Sequence, residues 1–229
     1  MEKFINEKVV VYISKFTNTK VIKALKDGMM FSLPFLMIGS LFLLIANLPI
    51  KSLNTLVAEC GLADICSQVY SSTFSLMALF TVVGITYSYL KNDKISTAVN
   101  GALTGLAAFV LLTPSSKVLE NGEAVTGVIS KDWTAGQGMI CAILIGFLVG
   151  YIYSLCIRKD IRVKMPEGVP PGVADSFSSL LPTGIITIIC AIIYAVCHFV
   201  FKTTFAELIY SAIQIPLQGV TDSFAGVVI

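Results

Sequence analysis

Five long apolar stretches dominate the sequence, each separated from the next by polar or charged residues. They cover Met29 to Ile50, Ser71 to Leu90, Ser96 to Thr113, Gly136 to Ile157 and Thr183 to Phe201. A helix needs about 20 predominantly apolar residues to cross the hydrocarbon core of a bilayer. Since every backbone group in that core must be hydrogen-bonded within the protein, apolar segments of this length are helices. The pattern predicts an all-α polytopic membrane protein with five transmembrane helices.

Composition and charge support this class and indicate an orientation. The chain is 55% hydrophobic and 13% charged, with a mean hydropathy of +0.84, which excludes an ordinary soluble domain. Lysine and arginine concentrate at one set of span ends: Lys3, Lys8, Lys15, Lys20, Lys23, Lys26, Lys91, Lys94, Arg158, Lys159, Arg162 and Lys164. The other ends hold Lys51, Lys117, Lys131 and Lys202. The positive-inside rule therefore places the N-terminus in the cytosol. This sorting accounts for the net charge of +2, so we expect no nucleic-acid partner.

Residues 1–28 precede the first span and contain no cleavage pattern typical of a secretory signal. Apolar side chains recur at helical spacing in this segment: Ile5, Val9, Tyr12, Ile13 and Phe16. The spacing predicts an amphipathic helix that lies on the inner leaflet and contacts membrane lipid. The alternative is a loosely ordered basic tail.

An external loop between Pro114 and Trp133 contains Asn121-Gly122, a dipeptide that type I′ turns favour. It predicts a small external β-hairpin.

The six cysteines do not form a disulfide framework. Four lie in or at the ends of spans: Cys141, Cys156, Cys190 and Cys197. There they behave as small apolar residues. Cys60 and Cys66 share an external loop, and a disulfide between them is the alternative. With one histidine and no zinc-ligand spacing, the chain is expected to bind no metal and no cofactor.

Glycines recur at a spacing of four in two spans, at Gly101 and Gly105 and at Gly146 and Gly150. This spacing lets helix backbones approach closely in a membrane. The pairs are interpreted as packing positions, within the chain or across a dimer, or as incidental glycines.

Residues 202–220 are predicted to form an interfacial amphipathic connector. Thr204 and Glu207 have the spacing of a capping box at its start. A further start signal, Thr221-Asp222-Ser223, opens an apolar run in residues 221–229. We interpret that run as the start of a truncated second domain.

The cytosolic loop 158–182 has the most distinctive sequence. Pro166, Pro170 and Pro171 favour an extended segment, followed by a short amphipathic helix with Pro182 in the first turn of the fifth span. Val169-Pro-Pro-Gly-Val-Ala-Asp-Ser-Phe-Ser-Ser-Leu-Leu-Pro182 resembles the loop of enzyme IIC, the membrane permease component of the bacterial phosphotransferase system, in its lactose, cellobiose and diacetylchitobiose family. Ala24-Leu-Lys-Asp-Gly-Met-Met-Phe-Ser-Leu-Pro34 and Gly39-Ser-Leu-Phe-Leu-Leu-Ile-Ala-Asn-Leu-Pro49 resemble its first span.

The resemblance implies uptake of a disaccharide across the bacterial cell membrane together with its phosphorylation. The phosphoryl group comes from a cysteine of a separate cytosolic partner, enzyme IIB, so no catalytic residue is expected in this chain. Residues 29–201 correspond to the scaffold and dimerisation domain of a homodimer. Later spans carry the histidine and glutamate that bind the sugar in this family, so we expect this half not to transport alone.

Two polar residues within the predicted spans are candidate sugar-binding residues. Asn100 needs hydrogen bonds in a low-dielectric medium, and His198 is the only ionisable side chain well inside a span. For each, the alternative is a hydrogen bond to a neighbouring helix. Two other functions stay open: part of an ion-coupled secondary sugar transporter, although the five spans contain no carboxylate for ion coupling, and a structural membrane module.

Overall fold

The computed structural model describes residue 17 and residues 19–48, 59–118, 123–166 and 168–216. Most of the predicted N-terminal amphipathic helix, the Asn121-Gly122 turn and the run 221–229 lie outside these residues. The described α-helices are α1 (Lys20–Met30), α2 (Leu33–Ala46), α3 (Leu62–Ser72), α4 (Met77–Asn92), α5 (Ala98–Leu112), α6 (Lys131–Thr134), α7 (Met139–Arg158), α8 (Pro171–Val196) and α9 (Phe205–Ile209). Two 3₁₀ turns, Phe74–Leu76 and Gly136–Gly138, precede α4 and α7. Two π-helical turns, Cys197–Phe201 and Tyr210–Gln214, follow α8 and α9.

Four helical segments of the described chain are long and apolar enough to cross a membrane. They are Lys20–Ala46, Leu62–Asn92, Gly136–Arg158 and Pro171–Phe201. The predicted third span, Ser96 to Thr113, contains only the 15-residue helix α5. At 1.5 Å per residue it reaches about 22 Å, short of a hydrocarbon core about 30 Å thick. The structure therefore supports a mostly helical membrane protein with four candidate spans and one shorter apolar helix.

The helix α4 lies at the centre of the bundle, in contact with α1, α5 and α7. Its buried side chain Val82 belongs to the same hydrophobic cluster as Ile145 and Val149 of α7. The glycine pairs predicted as packing positions lie within this core. A Cβ at Gly105 would meet the Thr86 hydroxyl at 2.6 Å. The close approach thus occurs inside the chain, between α4 and its neighbours.

At all four glycines of these two pairs, an added side chain would come close to a neighbouring helix. A side chain at Gly101 would collide with Leu90, and one at Gly150 would meet the Tyr89 ring at 2.9 Å. At Gly146 the nearest atoms belong to Ile85, at 3.1 Å. Because these neighbours are buried, a larger residue at any of the four positions would force a packed side chain to shift.

The predicted division between the cytosolic loop and the fifth span is wrong, because α8 runs through it. A single helix runs from Pro171 to Val196, and Pro182 lies buried inside it instead of in a first turn. Pro171 occupies the start, where its missing N–H costs nothing. A proline inside a membrane helix is tolerated where neighbouring groups hold the chain in place. Hydrogen bonds from α5 to Ser179 and Thr183 flank Pro182 on both sides.

After α5, β1 (Ser116–Val118) pairs antiparallel with β2 (Ala124–Thr126), with Lys117 opposite Val125. These strands coincide with the predicted hairpin, whose external location stays a prediction.

The predicted capping box of the connector is confirmed. The Thr204 hydroxyl accepts from the Glu207 N–H at 3.4 Å, and the Glu207 carboxylate accepts from the Thr204 N–H at 2.9 Å. Burial raises the pKa of Glu207, but bonds from the backbone and hydroxyl of Thr204 and from the Thr203 hydroxyl outweigh it and leave the pKa lowered.

All six cysteines are free, so the bridge between Cys60 and Cys66 is not formed. Cys60 is exposed and Cys66 is buried. The four cysteines of the spans are buried, as expected of small apolar side chains.

Candidate functional site: the seam between α5 and α8

Asn100 lies where α5 packs against α8. Its amide Nδ2 donates to the Ser179 hydroxyl at 2.8 Å and to the Asp175 carbonyl at 3.2 Å. Both N–H groups of the amide are therefore used within the protein. The structure shows the hydrogen bond to a neighbouring helix that was the alternative for this residue.

One turn along α5, the Thr104 and Thr183 hydroxyls are 2.8 Å apart, and Thr104 also donates to the Asn100 carbonyl at 2.9 Å. We call Asn100, Thr104, Ser179 and Thr183 the polar seam. Its α8 members are spaced by four residues, as are its α5 members, so each pair lies on one helix face. That spacing was visible in the sequence, but only Asn100 was selected from it.

An open groove of about 360 Å³ runs beside the polar seam. All four seam residues line it, together with Leu103, Ala107, Ser176 and Leu180. Within the described residues, the Asn100 Oδ1 atom accepts no hydrogen bond. Ligand-binding clefts usually have volumes of about 300–1,000 Å³ and combine apolar walls with a few polar groups. The groove meets that description at the small end of the range.

His198 lies elsewhere, in the π-helical turn that follows α8. Its exposed ring stacks on Tyr194, with centroids 5.8 Å apart, and meets Phe199 edge-on at 5.4 Å. At 1.5 Å per residue it is roughly 35 Å along the helix from Asp175, where Asn100 binds. The structure does not bring the two candidate residues together. No hydrogen bond from His198 to a neighbouring helix occurs in the described part of the chain.

An ionic cluster that was not predicted from the sequence lies at the end of α4. The Asp93 carboxylate is 5% exposed, forms an ion pair with Lys20 of α1 and accepts from Ser154. Arg158 at the end of α7 donates to it at 2.6 Å. The only sequence signal was an acid between Lys91 and Lys94 at the end of a span.

Two opposing effects act on the pKa of Asp93. Burial raises it, because the charged form loses hydration, whereas the hydrogen bonds from Lys20 and Ser154 and the charges of Lys20 and Arg158 lower it. The lowering effects are larger in sum, so the pKa lies below its ordinary value and Asp93 is ionised at neutral pH. The cluster therefore joins α1, α4 and α7 through a buried anion.

No three side chains of His, Cys, Asp or Glu come close enough to hold a metal ion in the described ranges. The site thus offers neutral hydrogen-bonding groups within an apolar helical bundle. Together with the candidate spans, these features define a polytopic α-helical membrane protein.

The chain belongs to the EIIC family of the phosphotransferase system, since the family's sequence profile, described as "Phosphotransferase system, EIIC", matches residues 26–229. It is 34% identical to the oligo-β-mannoside-specific EIIC component of Bacillus subtilis over 94% of this chain and 49% of that protein. It is 29% identical to the cellobiose-specific EIIC component of Geobacillus stearothermophilus, over 100% of this chain and 53% of that protein.

The fold agrees with a solved member of the family. The crystal structure of the transporter ChbC, the IIC component from the N,N'-diacetylchitobiose-specific phosphotransferase system, matches with a TM-score of 0.86 and 29% identity. The match covers 93% of this chain and 51% of that one. The chain spans about half the length of the relatives described here.

Proposed function

We propose that this chain is the N-terminal half of an EIIC permease that takes up a β-linked disaccharide while a cytosolic enzyme IIB phosphorylates it. The observation that carries the proposal is the family match over residues 26–229. The names of the relatives point to the substrate class, since they specify oligo-β-mannoside, cellobiose and diacetylchitobiose. Cellobiose, lactose and diacetylchitobiose are the sugars to test first.

Residues 29–201 form the scaffold and homodimerisation domain in this proposal, with α5 as the third of its five membrane helices. Residues 1–28 lie against the inner leaflet, 202–220 connect at the outer surface, and 221–229 begin the domain that carries most of the sugar site. The N-terminus is cytosolic. The Asp93 cluster supports one part of the topology, because it brings Lys20 and Arg158 to the same end of the bundle.

Asn100 and His198 are proposed as sugar contacts. The groove beside Asn100 offers hydroxyl and amide groups that can form hydrogen bonds with sugar hydroxyls. His198 has aromatic neighbours whose ring faces attract the C–H groups of a sugar. Their separation means that a single disaccharide contacts only one of them in the conformation described. Separate substitutions, each scored for sugar affinity, decide between them.

Transport assays in membrane vesicles from cells that express the native gene test the function. Vesicles loaded with phosphoenolpyruvate and the cytosolic phosphotransferase proteins should accumulate sugar phosphate, and vesicles without enzyme IIB should not. Vesicles from a deletion strain serve as the control. Gradient-driven accumulation of unmodified sugar would contradict the proposal and favour an ion-coupled transporter.

A further inference from the structure

A cavity of about 580 Å³ lined in part by charged side chains lies between α1 and α4, at the same end of the bundle as the Asp93 cluster. Lys23 of α1 and Lys91 of α4 line it, as do Ser88 and Asn92. The Nδ2 atom of Asn92 is buried and has no hydrogen-bond partner in the described part of the chain. A buried donor without a partner is costly, and a bound acceptor removes that cost.

The charges around this cavity favour an anion. Asp27 also lines it, but the Lys26 ammonium lies 3.8 Å from the Asp27 carboxylate and partly offsets its charge. The remaining lysines, Lys23 and Lys91, come from two different helices. An anionic group between them would also lie beside the Asn92 amide.

A separate apolar groove of about 260 Å³ adjoins the cavity at one shared lining residue. Phe31, in the bend between α1 and α2, lines both. Beyond it the groove is lined by Phe35, Phe80, Val83, Gly84 and Tyr87. A basic end followed by an apolar channel, along two candidate membrane spans, matches the two parts of a phospholipid.

We propose that this groove binds one anionic phospholipid. Its phosphate lies between Lys23 and Lys91 and accepts from Asn92, while an acyl chain follows the aromatic groove past Phe31 and Val83. Basic pockets between transmembrane helices are a recurring way in which membrane proteins bind anionic headgroups. The lipid bridges α1 and α4 and covers the bend at Phe31.

Native mass spectrometry of the purified chain with phosphatidylglycerol tests the proposal. A lysine that contacts the bound headgroup contributes roughly fivefold to the affinity for anionic lipid, so the double variant Lys23→Gln/Lys91→Gln should bind on the order of thirty-fold more weakly. The control is Lys159→Gln, an exposed lysine at the same end of the bundle that does not line the cavity. It should bind the lipid as the parent does.

A second variant, Val83→Trp, fills the apolar groove and should also weaken lipid binding while the headgroup residues stay intact. Melting temperatures of lipid-free samples identify any variant that has lost its fold. Equal lipid binding by the parent and the double variant would overturn the proposal. Full displacement of the lipid by millimolar glycerol 3-phosphate, with no effect of Val83→Trp, would show a free-phosphate site instead. If Val83→Trp changes the oligomeric state and not lipid binding, the groove is an interface between copies.

Discussion

Asn100 links two helices through one amide, so its replacement measures what the polar seam contributes to stability. Asn100→Ala removes the donors to Ser179 and Asp175 and should cost about 0.5–1.5 kcal/mol. The melting temperature in detergent should fall accordingly. Val99→Ala, at the exposed neighbouring position on α5, is the control and should change it little. An unchanged melting temperature for Asn100→Ala would show that the seam is not stabilising.

Asp93 should make the stability of the bundle depend on pH. Its folded-state pKa is lowered below 3.8, so its contribution is present above that value and is lost as the pH falls through the folded-state pKa. Asp93→Asn should cost roughly 1–3 kcal/mol at pH 7, because it removes a buried charge to which its partners hydrogen-bond. This is less than a fully buried pair contributes, because Lys20 and Arg158 are 34% and 61% exposed.

Melting curves between pH 3 and pH 7 provide the measurement. The parent should lose stability below about pH 4, where carboxylates with an ordinary pKa near 3.9 become protonated, and Asp93→Asn should lose less stability over the same range. Asp160→Asn, which removes an exposed carboxylate paired with Arg162 and Lys164 at the same end, is the matched control. If both variants behave alike, burial of Asp93 has no special role.

For single residues, the sequence predicted which polar side chain needs a hydrogen-bond partner but did not identify that partner. Asn100 was recognisable because a polar amide inside a span must form hydrogen bonds. Its acceptors are a backbone carbonyl and a serine on a segment predicted to lie in the cytosolic loop, and a carbonyl has no sequence signature. Asp93 was overlooked because its partners Lys20 and Arg158 are far from it in the sequence.

Helix packing around α4 depends on glycines that lie against buried side chains of the neighbouring helices. Gly105→Ala places a methyl group 2.6 Å from the Thr86 hydroxyl, which is held by the Val82 carbonyl at 2.8 Å. Overpacking a buried site of this kind should cost about 1–3 kcal/mol. Gly184→Ala is the matched control, since nothing lies within 4 Å of the added carbon on α8. It should be neutral or stabilising, because alanine favours helix over glycine. Equal melting temperatures for the two variants would contradict close packing at Gly105.

The extent of α8 shows where local signals fail for elements. Pro182 was expected in a first turn, because a proline inside a helix removes a hydrogen bond and introduces a steric clash. The helix continues through it since Ser179 and Thr183, on either side, are hydrogen-bonded to α5. These bonds depend on the approach of two helices. By contrast, the Thr204 capping box involves residues three apart and was predictable from the sequence.

For the whole molecule, the membrane class and the family followed from hydropathy and three sequence blocks, whereas the arrangement of helices did not. Hydropathy identifies α5 and α4 equally as apolar segments. It does not reveal that α4 is central or that α5 has 15 residues. Those features arise from glycine contacts and from pairing between helices distant in sequence.

The orientation of the molecule gives the last prediction. The basic end that contains Lys159 should face the cytosol, and the end that contains Lys131 should face outward, because basic residues are retained on the cytosolic side. After replacement of the six native cysteines by alanine, Lys131→Cys should react with an impermeant maleimide in intact cells. Lys159→Cys should react only after permeabilisation. Both positions are exposed, so access to them depends on the side of the membrane. The reverse pattern would invert the orientation, and labelling of both in intact cells would place them on one side and contradict the predicted crossing of α7 between them.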